Sequence, residues 1–316
     1  MYRIGIDLGG TNIAAGLVNE KFEIIAKEST PTLVGRPNLE IVRDIAALAN
    51  KLCADEGITL REVASLGIAS PGIVDDATGC VVYANNLDFR NFPILPELHK
   101  LLDIAEMHIE NDPNAAAWGE AIAGAAKGSK SSVMITLGTG VGGGIIIDGK
   151  VYSGFNYAAA ELGHMMIVAN GNPCSCGLNG CWEAYSSATA LIKSTREAME
   201  RNPDTVMWEM CEGNLANVNG RTAFNAMRQG DMVAAEVIDM YIEYLAVGII
   251  NIINIFCPEV LSIGGGISNE KDRLLDMLLP RIGMRIYSSN SPRRTLIKIA
   301  ELGNEAGIIG AAALRA

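Results

Sequence analysis

The sequence has no block of basic residues, no apolar run long enough to cross a bilayer, no secretory leader and no low-complexity linker. With 25 Lys and Arg against 36 Asp and Glu, a net charge of -11 argues against an electrostatic footprint for nucleic acid or an anionic membrane surface. Any bound phosphate must then be held by something other than lysines. The longest apolar stretch, Tyr244 to Cys257, is too short for a membrane span and contains Asn251 and Asn254, so it reads as a buried helix. Met1 is followed at once by the strand-like YRIGIDL, with no charged and apolar leader pattern, so a cytoplasmic location is expected. No G-x-x-x-x-G-K-[ST] occurs, which excludes a P-loop at the level of motif. The 316 residues, 49% of them apolar, supply two cores of ordinary domain size.

The chain opens RIGIDLGG, TNIAAGLVNE, KFEIIAKES, which reads as three antiparallel strands around tight turns. A helix follows, with Ile41, Ile45, Leu48 and Leu52 at helical spacing and Gly57 at its C-terminal stop, and then a short strand, ASLGIAS. VMITLGTG and GGGIIIDG repeat the strand, glycine turn, strand theme further on, which suggests an internal duplication. Long helices are expected for Glu183 to Glu200, for Val233 to Phe256 stopped by Pro258, and for Glu305 to Leu314. The domain boundary is expected near residue 115. It gives a smaller α/β domain of residues 1–115, completed by a C-terminal helix at 304–316, and a larger one of 116–303.

Three glycine-rich turns leave apolar strands: Gly9-Gly10-Thr11-Asn12, Gly138-Thr139-Gly140 and Gly264-Gly265-Gly266. Glycine lets backbone N–H groups approach an anion, so these turns can cradle phosphate oxygens without a lysine. Residues 138 to 143 also fit G-x-G-x-x-G, but a strand, Ile145-Ile146-Ile147, follows where a dinucleotide fold needs a helix. Asp7, two residues before the first turn, suits Mg2+ held through water. Asn111-Asp112-Pro113 precedes an alanine-rich stretch, with Pro113 fit for the first helical position. Asp112 reads either as an N-cap or as a base that orients a hydroxyl and accepts its proton late in phosphoryl transfer.

The densest local signal is His164, nine intervening residues, then Cys174-Ser175-Cys176-Gly177-Leu178-Asn179-Gly180-Cys181. One His and three Cys complete a tetrahedral zinc set with no open position, which marks a structural ion. Glu161 and Glu183 bracket the cluster, and with Asn111 they offer the acceptors and the amide that a polyol requires.

Together, IDLGGTN, SPGIVD, NNL at Asn85 to Leu87, END at Glu110 to Asp112, LGTGVGGG, ELGH, CSCGLNGC followed by Trp-Glu, and IGGGIS resemble the ROK family of sugar kinases and repressors. That family lies within the actin/hexokinase/Hsp70 superfamily, and the resemblance spans nearly the whole chain. It implies two actin-like, ribonuclease-H-like α/β domains of duplicated topology around an interdomain cleft. It implies an ATP-dependent hexose kinase, glucokinase first, with N-acetylmannosamine, fructose or allose as other acceptors. Asp112 would be the base, and Asn86, Asn111, Glu161, His164 and Glu183 would line the sugar site, His164 serving both sugar and zinc. Gly10, Thr11, Thr139 and Gly140 would hold phosphates, and Gly265 and Gly266 would lie near adenosine. A homodimer or higher homo-oligomer is expected from the resemblance alone. Two departures stand out: Ala160 replaces the glycine usual before the Glu of E-x-G-H, and Pro113 the alanine usual after Asp112. The repressor branch carries an N-terminal helix-turn-helix, for which a first strand at Tyr2 leaves no room. An actin-like ATPase without sugar chemistry would lack the zinc loop.

Overall fold

The computed structural model describes residues 1–315, the side chain of Asn85 excepted, so Ala316, the last residue of the helix expected at 304–316, lies outside the described residues. In chain order the elements begin β1 (Tyr2–Leu8), β2 (Asn12–Val18), β3 (Ile24–Pro31), α1 (Asn38–Asp55), β4 (Val63–Ser70), β5 (Ile73–Asp75) and β6 (Cys80–Ala84). They continue with β7 (Phe89–Phe92), α2 (Ile94–His99), β8 (Glu106–Asn111), α3 (Asp112–Ala123), β9 (Ser132–Leu137), β10 (Val141–Ile147) and β11 (Lys150–Val151). The rest are α4 (Glu183–Ser186), α5 (Ala188–Arg201), α6 (Met207–Met210), α7 (Thr222–Arg228), α8 (Met232–Phe256), β12 (Val260–Gly264), α9 (Asp272–Ile282), β13 (Leu296–Ile299) and α10 (Ala306–Ala312).

Two five-stranded sheets have the orders β3-β2-β1-β4-β8 and β11-β10-β9-β12-β13, and β5-β6-β7 form a smaller one. In the first, β1 pairs antiparallel with β2 and parallel with β4, and β4 pairs parallel with β8. In the second, β10 pairs antiparallel with β11, and β12 parallel with β13. The orders superpose strand for strand, so the duplication expected from the repeated glycine turns is present. The turns 9–11 and 138–140 occupy equivalent places, each joining the central strand to its antiparallel neighbour.

The chain divides into two compact units, residues 1–134, 144–160 and 300–315, and residues 135–143 and 161–299. The boundary read near residue 115 falls inside α3, and residues 116–134 and 144–160 pack with the first unit. The cause is long-range. α10 lies on β1 and β4 and against α3, and a Cβ at Gly310 would stand 1.7 Å from the Ala115 carbonyl oxygen, so only glycine permits that approach. The core of this unit joins Ile4, Ile6 and Leu8 of β1 to Ile41, Ile45 and Leu52 of α1.

β8 is an edge strand, and Asp76 covers part of its free side. Its carboxylate accepts the Ile109 N–H at 2.9 Å, faces His108 Nδ1 at 3.4 Å and pairs with Arg315 at 2.7 Å. In the second unit α8 is capped by Asp231, which accepts from Ala234 N at 2.8 Å. It ends at Cys257, in the left-handed region at φ 44°, directly before Pro258. The single helix expected over 183–200 is broken: the Ser187 side chain accepts from Ala190 N and restarts the helix as α5. Among the described residues no helix is long and apolar enough to cross a membrane.

Candidate active site and metal centre

In the first unit the turn after β1 is held from below. Thr32, fully buried, donates through Oγ1 to Gly9 O at 2.6 Å and through its N–H to Thr11 O at 2.8 Å. Gly9 N donates to Asn12 O, closing the turn. Asn86 comes to the same place, its Cβ 3.6 Å from where a Gly10 Cβ would stand. Asp7 is largely buried, and burial pushes its carboxyl above the usual range, with Lys27 partly offsetting this.

Asn111 and Asp112 stand at the junction of β8 and α3. The helix begins at Asp112 with Pro113 in its second position, so it starts one residue earlier than the sequence suggested. Asn111 is the N-cap residue but makes no side-chain cap; its Nδ2 donates to Gly72 O at 2.8 Å. Asp112 therefore lies in the first turn of a 12-residue helix, where the helix dipole favours a carboxylate.

In the second unit His164, Cys174, Cys176 and Cys181 converge, with their ligand atoms all within 4.8 Å of one another. Cys174 Sγ is 3.6 Å from His164 Nδ1, and Cys176 Sγ is 3.6 Å from Cys181 Sγ. Zn–S bonds of ~2.3 Å in a tetrahedron require sulfurs about 3.8 Å apart, so the set fits one ion. Bridges of Met166 with Cys181 and of Pro173 with Asn179 fold the loop into this shape. Burial and the neighbouring thiols push Cys181 up to about 12, while hydrogen bonding, first from the Leu178 backbone, lowers Cys176. A bound cation reverses the first effect by favouring thiolate.

Glu183 ties this loop to the second glycine turn. Its Oε2 accepts Val141 N–H at 3.0 Å, and its Oε1 accepts Ser175 Oγ at 2.9 Å and faces Cys174 Sγ at 3.7 Å. The Glu183 expected to meet a sugar thus already holds protein groups with both oxygens. Gly140 faces that carboxylate, since a Cβ there would stand 2.3 Å from Oε2. Glu161 precedes the short turn Leu162–His164 and is exposed. Ala160, just before it, sits at φ 66°, the left-handed conformation that explains why glycine is usual there.

Gly265 sits at φ 81°, with Leu137 O only 2.5 Å from where a Cβ would stand, which fixes the third glycine turn over the end of β9. Gly266 lines a cavity of about 460 Å³ with Asn219, Gly220, Arg221, Asn269 and Glu270. Thr139 and Gly140 line another of about 380 Å³, which includes Lys193, a lysine that the sequence gave no reason to place there. Thr189 Oγ1 donates to Thr139 O at 2.8 Å and holds that turn. Thr32, Glu110, Ser175, Lys193, Asn219 and Arg221 escaped sequence reasoning. Of these, Glu110 stood in the END motif and Ser175 between the clustered cysteines, and the other four carried no signal.

With this geometry in view, the family model for the ROK family matches residues 3–316. The chain belongs to the ROK family. The ROK chain is 35% identical over 314 residues to a glucokinase of Streptomyces coelicolor, covering 98% of this chain and 96% of that enzyme. It is 35% identical to a glucokinase of Thermotoga maritima over 312 residues, with the same coverage. Among solved structures, a ROK family glucokinase from Streptomyces griseus in complex with glucose and AMPPNP matches with a TM-score of 0.81 and 34% identity, covering 99% of both chains. The actin-like α/β fold of duplicated topology expected from the sequence is thereby established.

Proposed function

We infer that this ROK protein is an ATP-dependent hexose kinase that transfers the γ-phosphoryl group of ATP to the 6-hydroxyl of glucose. The observation that carries this is the full-length likeness to glucokinases in a chain whose Asn111-Asp112 pair opens α3. Asp112 orients the acceptor hydroxyl and takes its proton as the bond to phosphorus forms, because its ordinary pKa near ~3.9 is too low to strip a ground-state alcohol. Asn86, Asn111, Glu161 and His164 bind the sugar hydroxyls. Glu183 supports the sugar site through its hold on the zinc loop and the turn at Val141.

The turns at Gly9 to Asn12 and Gly138 to Gly140 receive phosphates, and Gly265 and Gly266 with Asn219 and Arg221 receive adenosine. Asp7 is the residue that would hold Mg2+, which supplies neutralisation of phosphate charge. His164, Cys174, Cys176 and Cys181 form a structural zinc site, as their mutual distances support. The enzyme acts in the cytoplasm as a homo-oligomer, a reading that rests on family likeness and is checked by sedimentation.

A coupled ADP-release assay over glucose, mannose, fructose, allose, N-acetylglucosamine and N-acetylmannosamine tests the acceptor. Turnover with another hexose but not glucose would keep the kinase and overturn the glucose assignment. One observation favours a second acceptor: at φ 66° Ala160 keeps the left-handed backbone that suits glycine but adds a methyl group just before Glu161. N-acetylmannosamine, fructose and allose are the acceptors that a changed side-chain surface at this place brings in.

A further inference from the structure

We propose that Glu110, which no step of the reaction uses directly, is the positioning residue that sets the turn carrying Asp112; this rests on the kinase reading above. Its Oε1 accepts two bonds at the start of α3, from the Asn111 N–H at 2.9 Å and from Asn114 Nδ2 at 3.1 Å. Its Oε2 accepts Ser153 Oγ at 2.9 Å, from the segment that runs on into Glu161 and His164. Asp112 is thus flanked on both sides by groups bonded to one carboxylate oxygen.

Asn114 makes the arrangement directional. It is 2% exposed, and among the described residues its Oδ1 has no partner, so the bond from its Nδ2 to Glu110 is what orients the amide. An ionised carboxylate accepts only, which forces the amide to present N–H2. Asn111 is held a second time by its own Nδ2 on Gly72 O. Removing Glu110 leaves a buried amide and a backbone N–H without their acceptor at the base of the catalytic turn. The consequence is misplacement of Asp112, which lowers turnover more than it lowers nucleotide binding.

The test compares Glu110→Ala with Glu110→Gln. The glutamine keeps an acceptor for Asn111 and Asn114, and its amide faces a Ser153 hydroxyl that can turn to accept. In Glu110→Ala, kcat per folded enzyme, measured with the best hexose of the panel, falls by about tenfold or more while KM for ATP moves by less than about twofold. Glu110→Gln restores kcat to within about threefold of the native chain. By amide hydrogen exchange, Asn111 N–H in Glu110→Ala exchanges at least about tenfold faster, and Glu110→Gln protects it. Unchanged kcat per folded molecule in Glu110→Ala, or unchanged Asn111 protection, overturns the proposal. If the native chain phosphorylates no hexose, the kinase reading has failed, and the exchange measurement alone decides the role of Glu110.

Discussion

Adding one methyl group at Gly140 probes the link between the glycine turn and the metal loop. The Cβ of Gly140→Ala would stand 2.3 Å from Glu183 Oε2, far inside the ~3.5 Å of van der Waals contact, so the carboxylate must retreat by roughly 1 Å. It then loses the Val141 N–H at 3.0 Å and, through its other oxygen, Ser175 Oγ at 2.9 Å. Hydrogen bonds to a charged group contribute about 1.5–3 kcal/mol each, and water recovers part of this at a half-buried site, which leaves about 2 kcal/mol in sum. For a domain of this size, that lowers the Tm of the second unit by about 4–8 °C. Because Ser175 lies between two of the thiol ligands, zinc should also leave faster, by roughly tenfold, in competition with a chromogenic chelator. Gly138→Ala is the control: among the described residues nothing lies within 4 Å of where its Cβ would stand, and it should be thermally neutral. A Gly140→Ala protein with native Tm and native zinc release would refute the reasoning, since the carboxylate would then not be the tie. A rise in KM for ATP without either change would mean that Gly140 serves phosphate alone.

Asp112→Asn should reduce kcat at least about 100-fold while the thermal transition stays put, and retention of a tenth of native kcat would remove Asp112 as base. Metal analysis should find one zinc per chain, lost in Cys176→Ser together with hexose binding; fully active zinc-free protein would contradict the structural site. Ala160→Gly should raise Tm slightly. A left-handed alanine costs about 1–2 kcal/mol, against roughly 0.4–1 kcal/mol of added chain entropy for glycine, and a lowered Tm would show that the φ of 66° is not strained. Asp76 should make stability depend on pH. Burial alone would raise its carboxyl, but bonds from His108 and the Ile109 N–H and the charge of Arg315 hold it below the usual value. Its stabilisation is therefore present above the unfolded pKa near ~3.9 and disappears as pH falls through the lower folded value. Denaturant titrations should show Asp76→Asn less stable at pH 7, with the difference closing on acidification; a constant difference would contradict the linkage.

Legibility followed sequence distance. His164 and the three cysteines lie within 18 residues, so their spacing alone defined the metal loop, and the distances of 3.6 Å agree with it. The glycine turns were equally plain, because each is a local interruption of an apolar strand. The helix expected over 183–200 divides for a local reason too, because the Ser187 hydroxyl caps α5.

By itself, then, the sequence determined the strand and turn periodicities, the duplicated plan, the cluster of one His and three Cys and the END turn, since each depends on neighbours close in the chain. Tertiary structure alone decided that α3 joins the first unit, because the contact of Gly310 with Ala115 joins parts of the chain nearly two hundred residues apart. It alone showed that Glu183 spends its carboxylate on Val141 and Ser175, and that Glu110 gathers Asn111, Asn114 and Ser153. A carboxylate in a sequence announces only that it can accept hydrogen bonds. Which donors reach it depends on how the folded backbone brings distant segments within about 3 Å.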